Sequence, residues 1–306
     1  MIQQKTLTPR ALVDLMLLGV IWGGVFLTTQ LVLNEVSVMS AVTLRVGLAA
    51  SVLWAVVWLR GMAVPRSPKL WGAFVGMGVL NNMIPFSLLT WSQLHIESGL
   101  TSILNGTTAI FGVIVAAIFF ADEKLTRIKV LGVSLGFAGV ICAIGPDALR
   151  SFDVRSIAQI AAILATLSYA MAGVWARKTM GRAAPVVAAA GMLTTSTIFM
   201  VPLTLGIEGT IALPQTPNGY LALFYFAVIA TSGAYLLYYR VLATAGSGNL
   251  MFVTLIIPPI AIALGALFLG EALGSGAYLG FILLAAGLIV MNFQSRRSGA
   301  KSVPAQ

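Results

Sequence analysis

Seven polar or aromatic side chains and one arginine sit well inside long apolar runs, and these are the groups through which the chain can bind a solute. They are Trp22, Asn81, Asn82, Asn105, Thr108, Tyr169, Tyr235 and Arg45. A polar group left unpaired in hydrocarbon is costly, so each either bonds to a neighbouring helix or faces a cavity. At 1.5 Å per helical residue, Trp22 lies about 17 Å and Tyr169 about 21 Å into their runs. Two rings at similar depth predict a sandwich for a planar or apolar group or for a cation, with packing between helices as the alternative. Carboxamides at Asn81, Asn82 and Asn105 can take a carboxylate, an amine or a hydroxyl without burying a charge. Adjacent helical side chains point about 100° apart, so one of Asn81 and Asn82 is expected to face the cavity. Thr108 has the further option of bonding its own helix backbone.

Arg45 has two readings: its head returns to the interface, or it binds an anionic substrate group or a gate carboxylate such as Glu35 or Glu97. Pro258 and Pro259 remove two backbone donors, which predicts a hinge or gate or a purely structural kink. Asp14 and Glu97 read as near-surface carboxylates. Glu123 and Glu271 stand just before apolar runs, where a carboxylate favours the following helix N-terminus. Tyr238 and Tyr239 beside Arg240, and Trp54, Trp58 and Trp71 near Arg60 and Lys69, read as an interfacial belt. With one histidine (His95), one cysteine (Cys142) and no cluster of ligating side chains, neither a metal nor a cofactor is expected. Gly132 to Gly136 has the spacing of a hydrolase nucleophile turn, and Asn105-Gly106-Thr107 that of a glycosylation sequon. Both lie inside apolar runs, which removes the context either motif needs.

The elements that must position these groups follow from composition. Of 306 residues, 59% are hydrophobic and only 9% charged, whereas a soluble domain carries roughly 25% charged residues. The chain is therefore read as all-α and integral to a membrane. Ten runs have a spanning length, near 11–33, 38–59, 69–92, 97–120, 127–145, 155–177, 184–205, 218–240, 248–269 and 275–293. The first is read as a retained span rather than a signal peptide. With the N-terminus in the cytoplasm, 15 basic residues fall on inner segments and 2 on outer ones. That bias places both termini on the cytoplasmic side of the cell membrane, and it accounts for the net charge of +9 without nucleic acid.

Residues Ile110–Ile141 return as Pro258–Ile289 with a constant shift of 148 and 10 identities in 32 positions. The shared residues include Glu123 with Glu271, Leu131-Gly132 with Leu279-Gly280, and Ala138-Gly139 with Ala286-Gly287. Ten spans with this repeat make two five-helix units, 1–145 and 153–293, followed by a cytoplasmic tail at 294–306. Five is odd, so the second unit is inverted, an arrangement that supports alternating access around a midplane site.

Two copies of an apolar helix ending in Glu-x-Leu and followed by Leu-Gly and Ala-Gly resemble the EamA family of the drug/metabolite transporter superfamily. Ile21-Trp22-Gly23, Leu44-Arg45 and Pro258 thirteen residues before Glu271 add to the likeness, which runs from about Leu15 to Ile289. Ile110 departs from it, standing where the family has a proline matching Pro258, so a proline kink in span 4 is not implied. The resemblance implies an exporter of small metabolites such as amino acids, their analogues or drug-like compounds, with a cavity lined by spans 1, 3, 4, 6, 8 and 9. The expected partners are a small-molecule substrate and the lipid bilayer. Coupling to a proton or another ion and assembly as a homodimer stay open. The competing readings are an integral-membrane enzyme acting on lipid, disfavoured by the absence of acid/base pairs at mid-depth, and a channel-like facilitator.

Overall fold

The computed structural model describes residues 8–121, 123, 125–144, 154–180, 183–250 and 252–300, without the side chains of 247–248 and 292–300. Lys5, Lys124, Arg150, Arg182 and Lys301, which entered the charge count, lie outside the described residues, as does the end of the tail. Helices follow one another as α1 (Pro9–Leu33), α2 (Val38–Leu59), α3 (Pro68–Ser92), α4 (Ser98–Phe119), α5 (Arg127–Ile144), α6 (Val154–Thr179), α7 (Pro185–Glu208), α8 (Pro217–Gly246), α9 (Val253–Leu269) and α10 (Ser275–Ala300). The first eight are long and apolar enough to cross a bilayer, and the apolar stretches of α9 and α10 are shorter. Large apolar side chains such as Leu17, Ile118, Ile141, Ile198, Leu221 and Leu267 cover the outside, the surface a lipid solvent requires.

Local sequence explains where several helices start. Proline occupies the first turn of α1, α3, α7 and α8, where its missing N–H costs nothing. Thr8 and Thr216 cap two of them, Oγ1 accepting from Ala11 N at 3.2 Å and from Gly219 N at 3.1 Å. Carboxylates complete two starts from a distance. Glu208 at the end of α7 accepts from Met39 N at 3.2 Å and from the Ser40 hydroxyl at 2.8 Å, securing the start of α2. Glu35, after α1, accepts from Gln215 N at 2.7 Å, from Thr216 N at 3.0 Å and from the Thr216 hydroxyl at the start of α8.

The hydroxyl of Thr216, and after it the backbone donors, hold the Glu35 carboxyl below its ordinary value of 4.5. A depressed folded-state value means that this contribution to stability is present above 4.5 and is lost as pH falls through the folded value. Melting midpoints of the purified protein between about pH 6 and pH 4 should therefore fall less steeply for Glu35→Gln than for the parent. Equal slopes would show that Glu35 contributes nothing.

Helix pairs recur between the two halves of the chain. The helices α5 and α10 cross at glycines: a Cβ on Gly132 would stand 2.7 Å from the Gly287 oxygen, and one on Gly139 would stand 2.6 Å from the Gly280 oxygen. As numbering rises on one helix it falls on the other, so the pair is antiparallel. This is the small-residue packing expected of the Leu-Gly and Ala-Gly motifs. The helices α2 and α7 also run antiparallel, joined by Thr43–Thr204 at 2.6 Å and by Trp54 Nε1 donating to Thr194 at 2.6 Å. The pair α1 and α9 is parallel, Gly19 against Ile256 and Gly23 against Ile260. Its partner in the shifted register is α4 on α6, where the Thr107 and Thr166 hydroxyls bond at 2.8 Å.

Two expectations about carboxylates are corrected here. Glu271 does not serve α10; it accepts from Ser98 N at 2.8 Å, Ser98 Oγ at 2.7 Å and Gly99 N at 3.2 Å, capping α4 from the other half of the chain. Glu123 pairs with Lys129 at 3.3 Å and Arg177 at 3.8 Å. Asp14, expected near the surface, is 6% exposed and bonded to Arg240.

Candidate functional site

The site is built where α3, α7 and α8 meet. Pro85 lacks the N–H that would bond residue 81, and its ring crowds that carbonyl. The helix answers with a π-helical turn at Val79–Met83, the wider i to i+5 winding frequent at functional positions. That turn carries Asn81 and Asn82. A second π-helical turn, Tyr225–Gly233 in α8, overlaps the same register after the 148-residue shift. Hydroxyls from other helices take up carbonyls near the first turn: Ser168 Oγ donates to Leu80 O at 2.7 Å and Ser196 Oγ to Gly78 O at 3.1 Å.

Tyr235 ties the helices together. Its oxygen accepts from Asn81 Nδ2 at 2.9 Å, and its hydroxyl donates to Asn82 Oδ1 at 3.1 Å. Asn82 Nδ2 donates onward to Ser196 Oγ at 3.1 Å. Asn82 is fully buried, whereas Asn81, Tyr169 and Tyr235 keep accessible surface. Both tyrosines pack against the buried core of α2, α3, α6 and α7 while keeping accessible surface. Tyr235 stacks on Tyr239 at 6.3 Å, which meets Tyr238 edge-on at 5.3 Å, and Tyr238 lies 5.8 Å from Trp22. An aromatic wall thus runs from α8 to α1.

Arg45 adjoins this wall. It neither returns to the interface nor pairs with Glu35 or Glu97: it is 8% exposed, and Glu97 is taken by Arg155 at 2.7 Å. Its guanidinium lies over the rings of Phe86 (3.7 Å) and Phe226 (4.3 Å), with Nε donating to Thr231 Oγ1 at 2.9 Å. The charge is within electrostatic reach of Tyr169 and Tyr235.

A model of the EamA-like transporter family matches residues 10–145 and again residues 156–293. The chain belongs to this family. This EamA-like chain is 23% identical over 290 residues to a protein of Escherichia coli K12 described as a probable amino-acid metabolite efflux pump, covering 92% of this chain and 94% of that one. It is 25% identical over 287 residues to a probable terminal-alkyne amino-acid exporter of Streptantibioticus cattleyicolor, covering 92% and 93%. A transporter of Bacillus subtilis, YoaV, described as uncharacterized, is 19% identical over 277 residues. A solved crystal structure superposes with a TM-score of 0.69 at 17% identity over 94% of this chain and 98% of that one, a likeness of fold alone. The chain is accordingly a multi-pass membrane protein and a transporter by family.

Within the EamA-like chain the expected site residues divide. Asn81, Asn82, Tyr169, Tyr235 and Arg45 come together, the last from α2, a helix outside the lining set that the resemblance implies. Trp22 belongs to the aromatic wall, but its ring partner is Tyr238, so the expected sandwich with Tyr169 is not formed. Thr108 donates to Asn105 O at 2.8 Å, its own helix backbone. Asn105 stands at the Gly106–Thr107 interruption of α4, with Oδ1 sealed and without a partner among the described residues. That break needs no proline. Conversely, Pro258 (buried) and Pro259 (exposed) sit in an unbroken stretch of α9, whose irregular turn comes later, at Gly265–Leu269. Tyr238 and Tyr239 are half-buried and belong to the aromatic wall, while Trp58 is exposed.

Sequence reading missed Ser196, Thr231, Phe86 and Phe226. The first two carried the signal already used for the asparagines, polar groups midway along an apolar run. The phenylalanines gave none, because an aromatic in a membrane helix is ordinary. Apart from this cluster, a cleft of about 430 Å³ opens beside Glu97, Cys142, Arg155 and Ser275. Its charged groups satisfy each other.

Proposed function

We propose that the chain exports a small metabolite, an amino acid or a related compound, by alternating access, with ten spans arranged as two inverted five-helix repeats and both termini cytoplasmic. The observation that carries the reading is the group of Asn81, Tyr169 and Tyr235 at mid-span, uncharged donors and acceptors that keep accessible surface among buried neighbours. The names of the relatives favour amino-acid-like cargo. Reciprocal contacts support the inversion: shifting by 148 exchanges Gly132 with Gly280 and Gly139 with Gly287, so the α5–α10 crossing maps onto itself.

The ends of the helices are unequal, as one of two alternating conformations requires. Glu271 holds the start of α4, and Ser98–Asn105 packs on α9. Glu123, its repeat counterpart, is occupied with Lys129 and Arg177, and Thr108–Phe119 packs on α5 and α6 instead. The state described is closed on the side of Glu271, the outer side in this topology.

Proteoliposomes containing the full chain, assayed with a labelled amino-acid panel, test the reading. Uptake should saturate and be accelerated by unlabelled substrate trapped inside. Saturation without that acceleration would point to a facilitator and remove alternating access. Trp22→Ala should raise the half-saturating concentration about threefold or more through loss of the aromatic wall. An unchanged value would take Trp22 out of the site.

A further inference from the structure

Arg45 is a buried cation with no anionic partner among the described residues. Each of the six carboxylates among the described residues is engaged elsewhere: Asp14 with Arg240, Glu35 with the start of α8, Glu97 with Arg155, Glu123 with Lys129, Glu208 with the start of α2, and Glu271 with the start of α4. Burying an isolated guanidinium in a membrane helix is expensive, and membrane proteins retain such charges at substrate or ion pathways.

The guanidinium is also held in one pose. Phe86 and Phe226 cover its faces, and Thr231 takes the Nε hydrogen. That accounts for everything except the edge bearing the two Nη nitrogens. They have no hydrogen-bond partner among the described residues and are not among the fully buried unpaired polar atoms, so they keep accessible surface. Two parallel N–H donors on a rigid, face-covered plane match the two oxygens of one carboxylate. A purely structural cation–π clamp explains the rings and Thr231 but leaves this edge without a purpose. Tyr169 and Tyr235, within electrostatic reach of the guanidinium, and Asn81, bonded to Tyr235, are uncharged, so no described group there balances a second anionic group.

We propose that Arg45 binds the carboxylate of the transported compound through its Nη edge, and that the substrate carries a single carboxylate. This rests on the transport reading above and narrows it to monocarboxylates, amino acids included. It also gives the uncharged cluster the task of holding the remainder of the substrate.

The test is binding rather than flux. The full chain, purified in detergent, is titrated by ligand-induced thermal stabilisation with acid and amide pairs. Phenylacetate with phenylacetamide and hexanoate with hexanamide change only the carboxylate. Phenylalanine and leucine with their amides add the amine. At least one acid should bind about tenfold or more tightly than its amide, the scale of a charge-assisted bidentate pair. Arg45→Gln should abolish that preference, and Arg45→Lys, which keeps the charge without the fork, should keep part of it. A wild-type protein that prefers no acid over its amide overturns the proposal and needs no variant to do so. A monodisperse Arg45→Gln protein that still prefers acids overturns it as well. Acid binding that depends on Arg45, in a protein that shows no uptake of any labelled compound, would sink the transport reading and leave this site standing.

Discussion

Gly280→Leu is expected to abolish the monodisperse folded protein, the largest effect of any single substitution considered. A Cβ at Gly280 would meet Gly139 O at 2.5 Å, Ala143 Cβ at 2.6 Å and Ala143 N at 2.7 Å. These are mostly backbone atoms of α5, which cannot step aside as a flexible side chain can. Ordinary overpacking of a core costs about 1–3 kcal/mol. Here the two helix axes must separate along their whole crossing, which also gives up the reciprocal contacts at Gly132 and Gly287, so the loss should exceed that range. Gly173→Leu on α6 is the matched control, since a Cβ there meets nothing within 4 Å. Fluorescence-detected size exclusion of detergent extracts should show a folded peak for Gly173→Leu and aggregate for Gly280→Leu. Comparable peaks would mean that α5 and α10 are not held by this crossing.

Those glycines were legible because a membrane helix has little else with which to pack closely. The pairs Leu131-Gly132 and Ala138-Gly139 recur 148 residues later, and the fold uses both copies in one crossing. The apolar helices were legible for a similar reason, since a hydrocarbon solvent leaves the length of each apolar run as its main variable. What a carboxylate touches was not legible. Glu271 reads locally as the cap of the helix that follows it, yet it caps α4, because the α9–α10 turn folds onto that start and three donors converge there. One reading of Arg45 failed in the same manner: its place in the first third of a predicted span suggests return to the interface, and only the packing of Phe86 and Phe226 from other helices keeps the head inside. Trp22 and Tyr169 were paired by depth alone. Depth fixes how far along a helix a ring lies and says nothing of its azimuth, which turned Trp22 toward Tyr238.

Azimuth is also what makes Tyr235 decisive. Its single oxygen serves both asparagines of the α3 π-helical turn, which point in different directions and still converge on it. Tyr235→Phe keeps the ring and the stacking on Tyr239 but leaves the fully buried Asn82 Oδ1 without its donor. Asn81 Nδ2 is then left with only a 4.0 Å contact to the Met192 sulfur. An unsatisfied buried polar group costs about 1–3 kcal/mol, enough to let α3 and α8 separate at the site or draw water into it. Counterflow should fall about tenfold or more while insertion and monodispersity are retained. Tyr239→Phe should change little, because the Tyr239 hydroxyl makes no hydrogen bond among the described residues. If one network is responsible, Asn82→Ala combined with Tyr235→Phe should lose less than the product of the two single losses, since the two changes share the Asn82–Tyr235 link. Losses that multiply in the double variant would separate the two residues and assign Tyr235 a direct contact with substrate in place of its role as the bolt between α3 and α8.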